Sequence, residues 1–345
     1  MSIFNELPEN VKNVLRLTRH AEFVTTSAAG VPIDTVCTFF PSEGLKSLDI
    51  TTGLAYPTKA ERARKNPKVG MMVEGPNNGP VVCVAGFAAV RDADLQGNVI
   101  RYLAENGNSL RGDVGWPLAQ KAVWYWSRIL VETTPAKVFW WESPAAMDGA
   151  PHILEAPAGT VFPKSDPAPT GDASKAPTWQ EASWQTLAKE ALGRKAPGHL
   201  SVLTDGFPLP IRARNIAHVA EGFTMEIPKG VPWAITGKAS LSFQGLETFL
   251  GDVTTQGGVT TMRVERSLPI LPSMNNAMEI WQPSEENKAK QMARITIEAA
   301  RRGQSIPTVP LERPEPTAVN KLRMEQSPKG TAPSREAVPD SYGKV

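Results

Sequence analysis

The stretch "TTGLAYPTKAERARKNPKVGMMVEG", Thr51–Gly75, decides the reading of the fold. It opens on two threonines that end a strand-like run, Leu48–Thr52, and passes through a small turn. Lys59, Arg62, Arg64, Lys65 and Lys68 then fall within ten residues, Pro67 closes the basic run, and the sequence turns apolar again at Val69. The spacing predicts strand, short helix over Thr58–Asn66 with Thr58 as N-cap, and strand. On charge alone the run is the solvated face of a short helix. Three features point elsewhere. Thr51 and Thr52 bring two hydroxyls to the place where the helix begins. A helix N-terminus offers unpaired N–H groups and the positive end of the helix dipole. Lys59 stands in the first turn, where that dipole disfavours a cation unless an anion is bound there. A phosphomonoester, with a charge of ~−1.5 to −2, suits Thr51, Thr52, Thr58, Lys59 and the free N–H groups. Arg62, one turn further on, reaches the same anion, and Arg64 and Lys65 are expected to face water.

The rest of the chain bounds what such a site can serve. Its 345 residues, 41% of them hydrophobic, allow two domains with real cores. A formal charge of +2 gives no support to a general nucleic-acid or membrane-surface role. The two cysteines, Cys37 and Cys83, lie in apolar strand-like runs and read as buried free thiols in a reducing compartment. "MSIFNELPENVKNVL" has acids and a proline and no apolar core of a signal peptide, and no run approaches the ~20 apolar residues of a membrane span. A cytoplasmic protein is expected.

Upstream of the basic run, Asn10–Arg19 has helical spacing, and "AEFVTTSAAGVPIDTVCTFFPSEGLKSLDITTG" reads as three strands. Downstream come strands at Val69–Glu74 and Val81–Arg91, a helix from Ala93 to Asn106, another at Leu118–Trp126, and the long strand "SRILVETTPAKVFWWE". Residues 1–142 form one β-rich domain. Residues 143–177, rich in Pro and Ala, form an extended linker. A second β-rich domain, 178–273, begins with a helix at Trp179–Leu192. A helix lies within 274–304, from Ser284 to Arg302. Residues 305–345 form an extended or disordered tail, or an arm that wraps a partner subunit. The fold class expected is α+β, mainly β.

The second domain reads as a worn copy of the first. "AAGVPIDTV" (Ala28–Val36) matches "TDGFPLPIR" (Thr204–Arg212). "VVCVAGFAAV" (Val81–Val90) matches "PWAITGKASL" (Pro232–Leu241) around Gly86 and Gly237, and "RILVETTP" matches "TMRVERSLP". Gly30 and Gly86 are 56 positions apart, Gly206 and Gly237 only 31, so the copy is expected to lack the basic helix and the strand after it.

In this order, "TTSAAGVPIDTVCTFF", "LDITTG", "TKAERARKNPKVGMMV" and "VVCVAGFAAV" resemble the FMN-binding split β-barrel of the pyridoxamine-phosphate-oxidase-like superfamily, over Ala21–Trp141 and more faintly over His199–Leu271. The resemblance implies two split barrels in tandem, a pseudo-dimer built by one chain, and a flavin mononucleotide. The flavin phosphate would meet Thr51, Thr52, Thr58, Lys59 and Arg62. The strand Val36, Cys37, Thr38 and Phe39 would lie along the ring. The second copy would supply the far wall, from Arg212, Arg214 and Trp233, each of which also reads as a barrel-surface charge or a packed aromatic. The superfamily also uses F420, FAD or heme. True pyridoxamine-phosphate oxidases carry an arginine and a lysine on the ring-facing strand, where this chain has Asp34 or Thr35 and Thr38 or Phe39. The resemblance therefore does not extend to vitamin B6 chemistry.

What the resemblance implies is an FMN-dependent oxidoreductase that moves a hydride between flavin and a small organic substrate, with NAD(P)H or oxygen closing the cycle. The alternative is a non-catalytic flavin- or heme-binding sensor or carrier. A homodimer through tail or barrels is compatible with either. His20, His152, His199 and His218 lack metal-ligand spacing, and the chain has no GxSxG, GxxxxGK[ST] or CxxC motif. Trp124, Trp126, Trp140 and Trp141 read as core or interface aromatics. No catalytic residue is singled out.

Overall fold

The computed structural model describes residues 2–107, 115–174, 183–244, 246–268 and 281–326. The first unit begins with α1 (Glu9–Leu17), β1 (His20–Thr26), β2 (Pro32–Pro41), β3 (Leu48–Gly53), α2 (Thr58–Lys65) and β4 (Lys68–Glu74). It continues with β5 (Val81–Arg91), α3 (Leu95–Asn106), α4 (Trp116–Ala119), α5 (Val123–Trp126) and β6 (Arg128–Trp141), onto whose outer edge β7 (His152–Glu155) pairs. Its strands run in the order β3-β2-β1-β4-β5-β6, and pairing of β3 with β6 closes the barrel.

The second unit comprises α6 (Trp184–Gly193), β8 (Gly198–Thr204), β9 (Phe207–Val219), β10 (Gly222–Glu226), β11 (Gly237–Phe243), β12 (Glu247–Gln256) and β13 (Val259–Ser267). Its order, β10-β9-β8-β11-β12-β13 with β13 back on β10, is that of the first barrel strand for strand. The chain is thus an α+β protein of two closed six-stranded barrels in tandem.

The duplication reaches single residues. In the first barrel the register shifts between Ala85 and Gly86, so that Ala136 of β6 has no partner on β5. In the second it shifts between Leu250 and Gly251, leaving out Glu265 of β13. A Cβ on Gly86 would lie 2.6 Å from the Thr133 side chain, and one on Gly251 would lie 1.9 Å from Arg263 O, so both bulges need glycine. The counterpart of Gly86 is therefore Gly251, not Gly237, which lies on the preceding strand. The match of "RILVETTP" to "TMRVERSLP" finds the right strand but the wrong register, since Pro135 corresponds to Val264. The second copy keeps the strand expected to be missing, as β11. Only the helix is absent, for β10 and β11 are joined by residues 227–236 with no helix between them.

The barrels pack through matching faces, β4 and β5 on β9 as β11 and β12 on β2, and β1 on β9 as β8 on β2. That reciprocity is an isologous interface within one chain. It explains the unbroken apolar run of β5. Val82 and Val84 fill the first core, while Val81, Cys83 and Ala85 turn outward into the second, which is shared with β8, β9 and β12.

The linker is fastened rather than free. Val90 N–H donates to Ser165 Oγ at 3.0 Å, and Phe162 packs on Phe87 with ring centroids 4.3 Å apart. After the second barrel the chain returns to the first. α7 (Glu285–Arg301) buries Ile295 and Ala299 in the first core, and the Ser284 side chain caps its start by accepting from Asn287 N–H. The segment expected to be a tail or an arm on a partner instead lies on its own barrel. It contains α8 (Ala318–Gln326), whose Arg323 donates to Arg16 O, Thr18 O and Phe39 O at 2.6–3.0 Å. Residues 327–345 of that expectation, and Trp179 of the expected helix start, lie outside the described residues. No described helix is long and apolar enough to cross a membrane.

Candidate functional site

α2 starts one residue earlier than its sequence suggests. Pro57 is its N-cap, with no side-chain cap hydrogen bond, and Thr58 is the first helical residue, exposed to solvent. Thr52 is buried, and its hydroxyl donates to Tyr56 O at 3.1 Å, tying down the turn into the helix. Thr51 is half-buried. The basic residues of α2 divide sharply. Arg64, expected in water, has a side chain only 10% exposed, bonded to Asp92 Oδ1 at 2.7 Å and to Asp166 O. With Glu61, Arg301, Arg302 and Glu298 it forms an ion network that fastens α2 to α7. Lys68 donates to Asp205 O at 2.6 Å across the barrel interface. Lys65 is exposed.

Lys59 and Arg62 face inward. Lys59 Nζ contacts Cys37 Sγ of β2 at 2.7 Å, and Arg62 Nε donates to Thr25 Oγ1 of β1 at 2.8 Å. Among the described residues neither has a carboxylate within ion-pair distance. Burial holds the Arg62 guanidinium down to about 10, with Cys37 pulling the other way. Thr35 completes the cluster, its Oγ1 3.9 Å from Cys37 Sγ and donating to Phe23 O at 3.3 Å. Thr25 escaped the sequence reading, and Thr35 entered it only as a departure from the family's pattern. Their signal is a hydroxyl set within apolar strands, in "EFVTT" and "PIDTV".

The strand below these cations has an open edge. β2 pairs with β1 along Pro32–Thr38, but with β3 only over Phe39–Pro41. On the side away from β1, main-chain groups of residues 32–38 therefore lack a sheet partner among the described residues. Val36 and Thr38 are half-buried there and Cys37 is buried. Phe39 differs from the other three. Its N–H donates to Arg19 O at 3.1 Å, its carbonyl accepts from Arg323, and its ring is buried in the core. The structure thus brings Lys59, Arg62 and Cys37 together beside the open edge at Val36–Thr38. It sets Thr52 and Phe39 to structural work and leaves Thr58 outside.

The residues named from the second copy are committed elsewhere. Arg212 pairs with Glu74 at 3.3 Å, Arg214 with Asp148 at 2.8 Å and with Pro144 O, and Trp233 packs edge-on against Phe139. Beside Arg212 lies a buried polar cluster between the barrels. His199 Nδ1 is 2.8 Å from Glu22 and its Nε2 is 3.8 Å from Glu74, while Ser201 Oγ donates to Asp34 Oδ2 at 2.9 Å. Burial works against a charged imidazole, but Glu22 and Glu74 outweigh it and lift His199 to about 10. Burial, and then Glu22, push the Asp34 carboxyl well above its usual range. His152 stacks on Trp140, and His218 meets Trp184 edge-on. Trp126 and Trp141 are fully buried core residues. Among the described residues no cluster of His, Cys, Asp and Glu could hold a metal ion.

No family model matches this chain, and no curated protein matches it in sequence. Solved structures resemble parts of it. A general stress protein 26 from Bacillus anthracis is 16% identical over 43% of this chain and 97% of its own, with a TM-score of 0.30. A pyridoxamine 5'-phosphate oxidase-related, FMN-binding protein from Nostoc punctiforme is 19% identical over 39% of this chain and 83% of its own, with a TM-score of 0.30. A FAD-binding protein from Mesorhizobium loti is 19% identical over 39% of this chain and 92% of its own, with a TM-score of 0.27.

Proposed function

We propose that this chain is a flavin-dependent oxidoreductase that binds FMN against β2 of the first barrel. The observation that carries the reading is the pair of inward cations, Lys59 and Arg62, with no carboxylate partner among the described residues, beside an open strand edge. A half-buried guanidinium and amine left without a counter-ion fit a phosphate, and the edge at residues 32–38 fits the polar rim of a planar ring. The order of sequence motifs shared with the pyridoxamine-phosphate-oxidase-like superfamily supports the same ligand.

Bound there, the flavin would supply hydride chemistry towards a small organic substrate, with NAD(P)H or oxygen closing the cycle. The chain's own part is binding and orientation. Lys59 and Arg62 neutralise the phosphate, Thr25 and Thr35 hold the cations and the strand in place, and the α2–α7 ion network keeps the helix at its depth.

The test is the purified protein with added FMN. A yellow complex absorbing at about 450 nm, whose flavin is reduced by NAD(P)H and reoxidised with turnover, is expected. A colourless protein that refuses FMN overturns the reading, a heme absorption band replaces the ligand, and flavin binding without turnover assigns a sensor or carrier.

A further inference from the structure

The second barrel has no helix between β10 and β11, yet the place is not open. Residues 227–236 cross it and meet a short turn that leaves the first barrel, residues 144–149. Gly230 N–H donates to Met147 O at 2.9 Å, and Trp141 Nε1 donates to Gly149 O at 3.0 Å. The approach is close, since a Cβ on Gly230 would lie 1.7 Å from Gly149 O. Met147 is fully buried in the second core, where Trp233 packs on Phe139. Apolar side chains of the chain itself thus close this side of the second barrel. One group in the turn is charged. Asp148 Oδ2 accepts from Arg214 Nη1 at 2.8 Å, and its Oδ1 accepts from Lys229 N–H at 3.1 Å. Arg214 also donates to Pro144 O, so the guanidinium grips the turn at two points. Arg214, and then the Lys229 N–H, hold the Asp148 carboxyl below its usual range.

We propose that Asp148 is a built-in anion, and that Arg214 and the Lys229 N–H form a phosphate site in the second barrel that this carboxylate keeps filled. The argument is one of place and chemistry. Arg214 lies on β9, the strand that repeats β2, and Lys229 follows directly on β10, the strand that repeats β3. In the first barrel the cations Lys59 and Arg62 stand in the same relation, beside β2 and after β3. The comparison with that cleft rests on the FMN reading above, whereas the donors around Asp148 do not. A guanidinium and a main-chain N–H that each take one oxygen of a carboxylate can each take one oxygen of a phosphate. The Asp148 side chain is 50% exposed, so a solute reaches the donors once the carboxylate is gone. Met147 and Trp233 fill the neighbouring space, so the ligand is phosphate itself and not a second flavin.

Thermal melting of the full-length protein tests this without flavin. Asp148→Ala is expected to fold and to melt up to about 4 °C below the wild type in chloride. Inorganic phosphate at equal ionic strength should raise the variant at least about 2 °C more than the wild type, because it binds only the native state. The general effect of phosphate salts, and any phosphate held by Lys59 and Arg62, add equally to both proteins, so the difference reports the second barrel. Adding Arg214→Ala to the variant should abolish that difference. If Asp148→Ala does not fold, Asp148→Asn, which keeps the shape and loses the charge, takes its place. An equal phosphate response in wild type and variant, or an extra response that survives the loss of Arg214, would overturn the site. FMN titration of the same proteins keeps the two readings apart. A flavin complex without the phosphate effect removes this site and leaves the FMN reading, and the phosphate effect without a flavin complex does the reverse.

Discussion

Lys59 and Arg64 lie five residues apart on one short helix and carry the same charge, yet they do different work. Arg64 is a counter-ion for Asp92, which is 2% exposed, whereas Lys59 points at β2 with no carboxylate partner among the described residues. Lys59→Ala is expected to weaken FMN binding ~10–100-fold by removing a charge-assisted contact of ~1.5–3 kcal/mol, with the urea midpoint unchanged. Arg64→Ala should instead lower stability by up to ~3 kcal/mol, the low end for a broken buried pair, because Arg302 still neutralises Asp92. Urea denaturation beside FMN titration separates the two, and equal small effects on FMN binding would show that Lys59 does not hold the phosphate.

Asp34 gives a prediction of a different kind. Glu22 faces it from β1, and His199 and Ser201 face it from the second barrel, with Glu74 and Arg212 on the far side of the cluster paired to His199 and to each other. Its folded pKa lies above the ordinary ~3.9 of an unfolded aspartate. As pH rises past that value the unfolded chain releases this proton first, so stability falls with rising pH. His199, lifted from about 6.5 to about 10, adds a loss of the same sign between those values. Asp34→Asn keeps an acceptor for Ser201 and removes the ionisable group. Its melting temperature at pH 8 should exceed that of the wild type, and its decline from pH 5 to 8 should be shallower. A parallel decline would show that Asp34 is ionised in the fold.

At the scale of elements, one close approach sets how the barrels meet. Gly70 of β4 faces β9 so closely that a Cβ would lie 1.8 Å from Pro208 O, a main-chain atom that no rotamer change can move aside. Gly70→Ala is therefore expected to cost ~3 kcal/mol or more, at or above the usual range for overpacking, and to pry the shared second core. A cooperative urea transition shifted to lower midpoint is the expected result, and an unchanged midpoint would mean that β4 and β9 can part at little cost. The helices after the second barrel act on the first. α7 locks α2 through Arg301 and Arg302, and α8 caps the end of β2 through Arg323, so the elements that frame the candidate site are fixed by sequence more than two hundred residues away.

For the whole molecule, the doubled barrel raises the question of how many sites one chain builds. β9 repeats the open edge of β2, since β8 pairs with Phe207–Ala213 while β10 pairs with residues from Arg214 onward. The mirror position nevertheless lacks a helix between β10 and β11. Its two arginines, at the places of Val36 and Thr38, are committed to Glu74, Asp148 and Pro144 O. Titration should give about one FMN per chain, since losing two or three charge-assisted bonds of ~1.5–3 kcal/mol each leaves negligible affinity. A value of two would mean that the Arg212 and Arg214 ion pairs open to receive a second phosphate.

The strands of the first barrel, the helices α1, α2, α3 and α7 and the existence of a repeat were legible in the sequence, because each shows in the pattern of residues along the chain itself. Asp205-Gly206, with φ of 51° and 80°, makes the tight hairpin turn between β8 and β9. The basic run was legible as a run but not as a division of labour. Which cation meets a carboxylate depends on Asp92, Asp166 and a helix that returns after the second barrel. The pairing of Gly86 with Gly251 needed the sheet, because a bulge is a relation between two strands and only the register shows which glycine it requires. The partners of Arg212 and Arg214, the fastened linker and the contact of Lys59 with Cys37 were decided by the tertiary structure for the same reason. Electrostatic and packing partners are chosen by distance in space, and the chain brings these together from segments that nothing local connects.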